Sequence, residues 1–257
     1  MSSQWRLITA LPPFEDDEVQ LWRIDLAAGA AGSADYYTSI LSTSEQADAN
    51  RRRIGRVRDH FTIGRTCLRV LIGNALRMDP RDVVIEKGIY GKPEIPTSSG
   101  CGLSFNLTHS HDTLLIALRQ QGAVGVDVEH FDRSTDIMEI AQANFTENEA
   151  GSLAAITDPE ARLQTFYRYW TRKEAIGKAD GRGLLLPLAS FDVACETMDS
   201  HPVRVTESPD NQGKLYFLSD LDLGGRLAGA LALESSESPV SRMIFPWTYQ
   251  VPERLRS

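Results

Sequence analysis

Asp127 and Glu129, in the stretch GVDVEH, are separated by a single valine. Side chains of a strand repeat every second residue, so the two carboxylates share a face about 6.5–7 Å apart, with Val126 and Val128 on the other. Acids at that range repel unless water or a cation screens them. A second pair lies downstream. In the helical stretch from Pro159, Leu163, Tyr167 and Trp170 form an inward stripe whose next two positions are Glu174 and Lys178. An exposed Glu/Lys pair one turn apart is an ordinary helix stabiliser of ~0.2–0.5 kcal/mol. Here Phe166, Tyr169 and Ile176 make the helix apolar on more than one side, which points to an acid and an ammonium carried into a cleft. Asp127, Glu129 and Glu174 would then offer three oxygen donors suited to Mg²⁺, whose shell is usually completed by water and substrate phosphate.

Other candidates carry competing readings. In NFTENE, Thr146 and Glu149 have the spacing of a capping box, and Glu149 is also placed to act as a catalytic carboxylate. His109 and His111, in THSH, alternate on a strand and could ligate zinc. No third ligand accompanies them at a suitable spacing, which favours hydrogen bonding or phosphate contact. The run RRRIGRVR at 51–58, continued by Arg65 and Arg69, reads either as a solvated helix face or as a grip for a polyanion such as phosphate.

The elements that must position these groups follow from pattern. EVQLWRIDL (18–26) reads as a strand, and helical periodicity runs from about Tyr36 through the arginines. Leu68, Leu71, Ile72 and Ala75 form an apolar stripe there, with Arg58, Arg65 and Arg69 on another face. Strands are expected at DVVIEKG, LSFNLTHS, TLLIALRQ and the acid-bearing segment. A helix begins near Asp136, and Asp158-Pro159 announces the start of a longer one. SFDVAC, KLYFLSDLDL and RLAGALALES read as further strands. The halves repeat faintly. Arg65 with its helix, VVI, LSFNL and LLIAL are answered by Arg172 with its helix, FDV, LYFLSDL and LAGALAL, at an offset near 107–113 residues. The expected architecture is α+β: two similar halves, 1–130 and 131–257, with a ligand cleft between them.

Composition narrows the class. The chain has 257 residues, enough for one large domain or two smaller ones, and its 42% hydrophobic and 24% charged content is that of a globular protein. A net charge of −8 argues against general nucleic-acid binding. No apolar run approaches the roughly 20 residues of a membrane span, and MSSQWRLITALPPFEDDE does not read as a signal peptide. Cys67, Cys101 and Cys195 are odd in number and far apart, which fits a reducing cytoplasm.

GVDVEH, followed by NFTENE and then FYRYWTRKEAIGKADGRGLLLPLASF, resembles the surfactin-type (Sfp-like) 4′-phosphopantetheinyl transferases. YGKP, FNLTHS and the arginine-rich helix ending near Arg65 match the same family in the same order, over roughly residues 18–235. The resemblance implies a pseudo-twofold α+β fold whose halves enclose coenzyme A. It implies a metal site of Asp127, Glu129 and Glu174 for Mg²⁺, with Mn²⁺ as a substitute. It places Lys178 near the leaving phosphate and Glu149 as the base, and gives Arg65, Lys92, Thr108, His109, Lys173 and Lys178 to the phosphates and nucleotide of the coenzyme. Arg52 or Arg53 falls where the 3′-phosphate is held. Two positions depart from the pattern: Thr108 where serine is common, and Gly177 where a bulky apolar residue is usual.

The implied reaction moves 4′-phosphopantetheine from coenzyme A to a serine of an apo acyl or peptidyl carrier protein, releasing adenosine 3′,5′-bisphosphate. The expected enzyme is a cytoplasmic monomer that binds neither nucleic acid nor membrane. Its carrier would dock on an apolar patch drawn from Ile137, Met138, Ile140 and Phe145. A Mg²⁺-dependent phosphodiester hydrolase could use the same acids, but would leave the phosphate-gripping residues without a role. A non-catalytic coenzyme A or carrier-binding module would have no need of Asp127, Glu129, Glu174 and Lys178 together.

Overall fold

The computed structural model describes residues 6–8, 10–14, 19–29, 34–195, 201–206, 213–235 and 244–249. Strand β1 (Arg6–Ile8) is followed by β2 (Val19–Asp25), short helices α1 (Leu26–Gly29) and α2 (Ala34–Ile40), then α3 (Thr43–Asn50) and the 22-residue α4 (Gly55–Leu76). The helical run expected from Tyr36 is thus broken twice. Ser42 and Glu45 build a capping box that starts α3, and α4 begins afresh after Arg51–Ile54. A hairpin of β3 (Glu86–Lys87) and β4 (Pro93–Glu94) leads to β5 (Leu103–Ser110), β6 (Thr113–Gln120) and β7 (Val124–His130). Helices α5 (Ile137–Asn144), α6 (Glu147–Ala155) and the 22-residue α7 (Pro159–Asp180) precede β8 (His201–Val205), β9 (Lys214–Asp220), β10 (Leu227–Glu234) and β11 (Ile244–Tyr249).

The larger strands form two sheets, in orders β1-β11-β2-β6-β5 and β7-β10-β9-β8. Alternation sorts their side chains into layers. Trp22, Ile24, Leu114, Ile116 and Leu118 face α4 and pack on Ile63, Leu68 and Ile72. Val19, Leu21, Leu115 and Ala117 point the other way and meet Val124, Val126, Val128, Leu231 and Leu233, so the two sheets share an apolar seam. Ala230 and Ala232 turn outward to α7, with Phe166, Tyr169 and Ile176. β7 pairs with β10 rather than with any strand of the first sheet, and β11 lies in the first sheet between β1 and β2. The division at residue 130 drawn from the sequence therefore does not follow the strand pairing, which puts 124–130 with the second half.

The internal repeat is tighter than its sequence trace. Glu45 and Glu149 are 104 residues apart (149 less 45), and the same step relates Ser42 to Thr146, α4 to α7 end to end, and Arg77 to Gly181, the left-handed residues closing the two helices. By this step Arg69 is answered by Lys173, while Arg69 and Arg172 share a role. Each is buried, and each donates to backbone carbonyls of the segment after its helix: Arg69 to Val83 (2.9 Å) and Arg172 to Val193 (2.7 Å). This accounts for two missing strands. The Val83 and Val193 carbonyls are engaged by an arginine rather than a ladder; DVVIEKG is strand only at Glu86–Lys87 and SFDVAC forms none.

Candidate active site

β7 presents Gly125, Asp127 and Glu129 to α7. A Cβ on Gly125 would lie 2.0 Å from the Ala175 carbonyl oxygen and 2.4 Å from the Ala179 nitrogen, so only glycine lets the helix lie this close to the strand. That approach brings Glu174 and Lys178, one turn apart on α7, to the strand's acidic face. Asp127 is buried, and its Oδ1 accepts from Lys178 Nζ (2.6 Å) and Thr108 Oγ1 (3.0 Å). Lys178 also donates to Thr108 Oγ1 at 3.0 Å, closing a three-membered polar contact. Burial and the charge of Asp127 push the carboxyls of both Glu129 and Glu174 above the ordinary range.

Strands β5 and β7 are edge strands of different sheets, and β5 side chains bridge them. Asn106 Oδ1 accepts from the Val126 N–H (2.8 Å), Thr108 reaches Asp127, and Ser110 Oγ donates to Glu129 Oε2 (3.0 Å) while accepting from the His130 N–H (3.0 Å). Asn106 and Ser110 were not singled out in the sequence, although the polar alternation N-x-T-x-S in FNLTHS is the trace they leave.

Among the described residues, no three His, Cys, Asp or Glu side chains are gathered closely enough to hold a metal ion as they stand. The donor set nevertheless fits a hard divalent cation. Burial and the neighbouring carboxylates raise the proton affinity of Glu129 and Glu174, and Asp127 Oδ2 is buried without a hydrogen-bond partner among the described residues.

The phosphate-gripping candidates divide. Thr108 and His109 lie at the site. Burial, then the charges of His60 and Lys178, hold the His109 imidazole below its usual pKa, and its ring meets His60 edge-on at 6.4 Å. His60 in turn contacts Asp112 (3.2 Å), which Arg56 holds with two bonds of 2.8 and 2.9 Å. Arg65 and Arg52 flank the Phe61 ring at 5.6 and 3.7 Å. Arg65 Nε is 3.5 Å from Glu45, while its buried Nη1 has no hydrogen-bond partner among the described residues. Lys92 Nζ donates to the carbonyls of Lys178 (2.5 Å) and Val124 (3.2 Å), which pins the start of β7 to the end of α7. Its pKa falls to about 8, chiefly by burial.

Two of the expected site residues are engaged by the scaffold. Glu149 is fully buried: its Oε2 accepts from the Thr146 N–H (2.8 Å) and pairs with Lys173 Nζ (2.8 Å), and its Oε1 accepts from the Val193 N–H (2.7 Å). Both oxygens are thus engaged, and it serves as the capping-box residue of α6. Lys173 is equally buried and spends its remaining donors on the Leu188 and Phe191 carbonyls, both at 2.7 Å, leaving none for coenzyme phosphate. Gly177 finds its reason nearby, since a Cβ there would stand 2.9 Å from the Gly183 carbonyl oxygen. Of the apolar patch expected after β7, Phe145 belongs to the core, and Ile137, Met138 and Ile140 are half-buried against it.

Known proteins share this arrangement of sequence. Residues 123–230 match the family model of the 4′-phosphopantetheinyl transferase superfamily. The chain is 36% identical to the 4′-phosphopantetheinyl transferase HetI of Nostoc sp. over 65% of its own length and 70% of that protein. It is 30% identical to the 4′-phosphopantetheinyl transferase Sfp of Bacillus subtilis over 72% of its length and 79% of the relative. Against the 4′-phosphopantetheinyl transferase AcpT of Salmonella typhimurium, identity is 41% over 44% of this chain and 56% of the other. The chain belongs to the 4′-phosphopantetheinyl transferase superfamily.

Proposed function

We propose that the chain transfers 4′-phosphopantetheine from coenzyme A to a serine of an apo acyl or peptidyl carrier protein at the seam between β5, β7 and α7. The observation that carries this reading is Lys178, held on Asp127 and Thr108 beside a buried carboxylate oxygen that has no hydrogen-bond partner among the described residues. The serine oxygen forms a bond to the phosphorus attached to pantetheine. The bond from that phosphorus to the bridging oxygen breaks, and the electron pair leaves with adenosine 3′,5′-bisphosphate.

Asp127, Glu129 and Glu174 would hold Mg²⁺, or Mn²⁺ in its place, which supplies neutralising charge to the pyrophosphate. The side chains do the rest. Lys178 stabilises charge on the departing phosphate, His109 donates an imidazole N–H to a phosphate oxygen, and Arg65 and Arg52, around Phe61, face the nucleotide end. Since Glu149 has no free oxygen, the serine proton passes to water. The two halves supply both walls of the seam within one chain, so the enzyme works as a monomer. No helix among the described residues is long and apolar enough to cross a membrane, and the reading places the enzyme in the cytoplasm.

Apo carrier incubated with coenzyme A and Mg²⁺ tests the reading by intact mass. Gain of phosphopantetheine on the carrier supports it. Cleavage of coenzyme A without gain points to hydrolysis, and neither change points to a binding module.

A further inference from the structure

Ser110 closes β5 at the point where the two sheets meet, and both its hydrogen bonds cross between halves. Its oxygen accepts from the His130 N–H at 3.0 Å, and it donates to Glu129 Oε2, also at 3.0 Å. A hydroxyl has one proton. The backbone N–H can only donate, so the serine proton is directed at the carboxylate. Two residues earlier on the same strand, Thr108 treats Asp127 alike, donating to Oδ1 and leaving Oδ2 without a partner among the described residues. The hydroxyls at 108 and 110 therefore run in step with the acids at 127 and 129, each hydroxyl engaging one oxygen of one acid.

We propose that Ser110 is a positioning residue for the acid group: by fixing Glu129 Oε2 from the opposite half, it leaves Oε1 as the oxygen offered to the divalent cation. The inference rests on the reading of Asp127, Glu129 and Glu174 as the cation's ligands. Without Ser110 the Glu129 side chain would lose its anchor to the first half, and the cation would have to select one of several rotamers. Outer partners of this kind change metal affinity by about 10- to 100-fold.

The test is Mn²⁺ binding to the substrate-free protein, followed by electron paramagnetic resonance, with thermal melting alongside. Ser110→Ala should weaken Mn²⁺ binding on the order of 10-fold, and Ser110→Thr, which restores a hydroxyl, should recover most of it. Melting without metal separates loss of positioning from loss of fold. A Ser110→Ala protein that binds Mn²⁺ as tightly as the parent overturns the proposal while leaving the cation reading intact. So does weakening that Ser110→Thr fails to repair. A parent protein that binds no better than Asp127→Ala removes the cation reading and this proposal with it.

Discussion

The two halves share a scaffold and differ in what they place on it. β2 pairs with β6 as β7 pairs with β10, and α4 lies on the first pair as α7 lies on the second. Trp22 and Ile24, on the α4-facing side of β2, stand where Asp127 and Glu129 stand on the α7-facing side of β7. On the helices, the 104-residue step sets Val70 against Glu174 and Asn74 against Lys178. One half fills this space with uncharged, mostly apolar side chains and the other with charge. What both keep is the frame: a capping-box glutamate tied to a cation on the long helix, Glu45 with Arg69 (2.6 Å) and Glu149 with Lys173 (2.8 Å). A feature present in both halves belongs to the frame, and a feature present in one belongs to the chemistry. By that criterion Glu149 is structural, since Glu45 repeats its role away from the acid group.

The largest contrast should come from the strand positions. Trp22→Ala should cost about 3–5 kcal/mol of stability, as expected for removing a fully buried aromatic. Asp127→Ala should keep its melting temperature within a few degrees while transfer falls by more than about 100-fold. Near-normal turnover of Asp127→Ala at ordinary Mg²⁺ would erase the distinction between the halves. The capping glutamates should behave alike. Glu45→Ala and Glu149→Ala each strand a buried cation, at about 3–5 kcal/mol, and Glu149→Gln should lower the melting temperature while turnover per folded molecule is retained. A stable Glu149→Gln protein with greatly reduced turnover would return this residue to the catalytic group.

The matched helix glycines sharpen the comparison at smaller scale. A Cβ would come within 2.9 Å of the Met78 carbonyl oxygen at Gly73 and of the Gly183 carbonyl oxygen at Gly177. Gly73→Ala and Gly177→Ala should each cost roughly 1–3 kcal/mol in denaturant unfolding. Loss in one half only would mean that the frames tolerate strain differently. Lys92 carries the smallest effect. Its pKa, lowered by burial to about 8 from an ordinary 10.5, makes the unfolded chain hold more protons in that interval. Its contribution to stability therefore rises as pH increases from about 8 to 10.5 and is flat below. Lys92→Met should remove that slope from the pH dependence of the melting temperature; an unchanged slope would place its origin elsewhere.

Much of the site was legible because its signals are local. Alternation put Asp127 and Glu129 on one face, and helical spacing put Glu174 one turn from Lys178. The capping box of Thr146 and Glu149 was equally plain, but its second partner, Lys173, is 24 residues away and becomes visible only when α6 meets α7. Ser110 and Asn106 escaped notice because each acts across the seam, on a strand twenty residues later. In the fold, DVVIEKG and SFDVAC have strand composition. What prevents a ladder is a buried arginine on the preceding helix, a competitor that strand propensity does not register.

The position of β11 has a consequence for how the protein is made. β11 runs parallel between β1 and β2, so the first sheet is completed by residues 244–249. On the ribosome β2 emerges early and keeps an open edge until residues 244–249 have been synthesised. By then the acid-bearing strand and its helix have long been available to fold. The half that holds β2 is thus completed after the half that holds the acid group, and a chain halted before Ile244 would carry a complete acid group on a molecule with an unprotected edge.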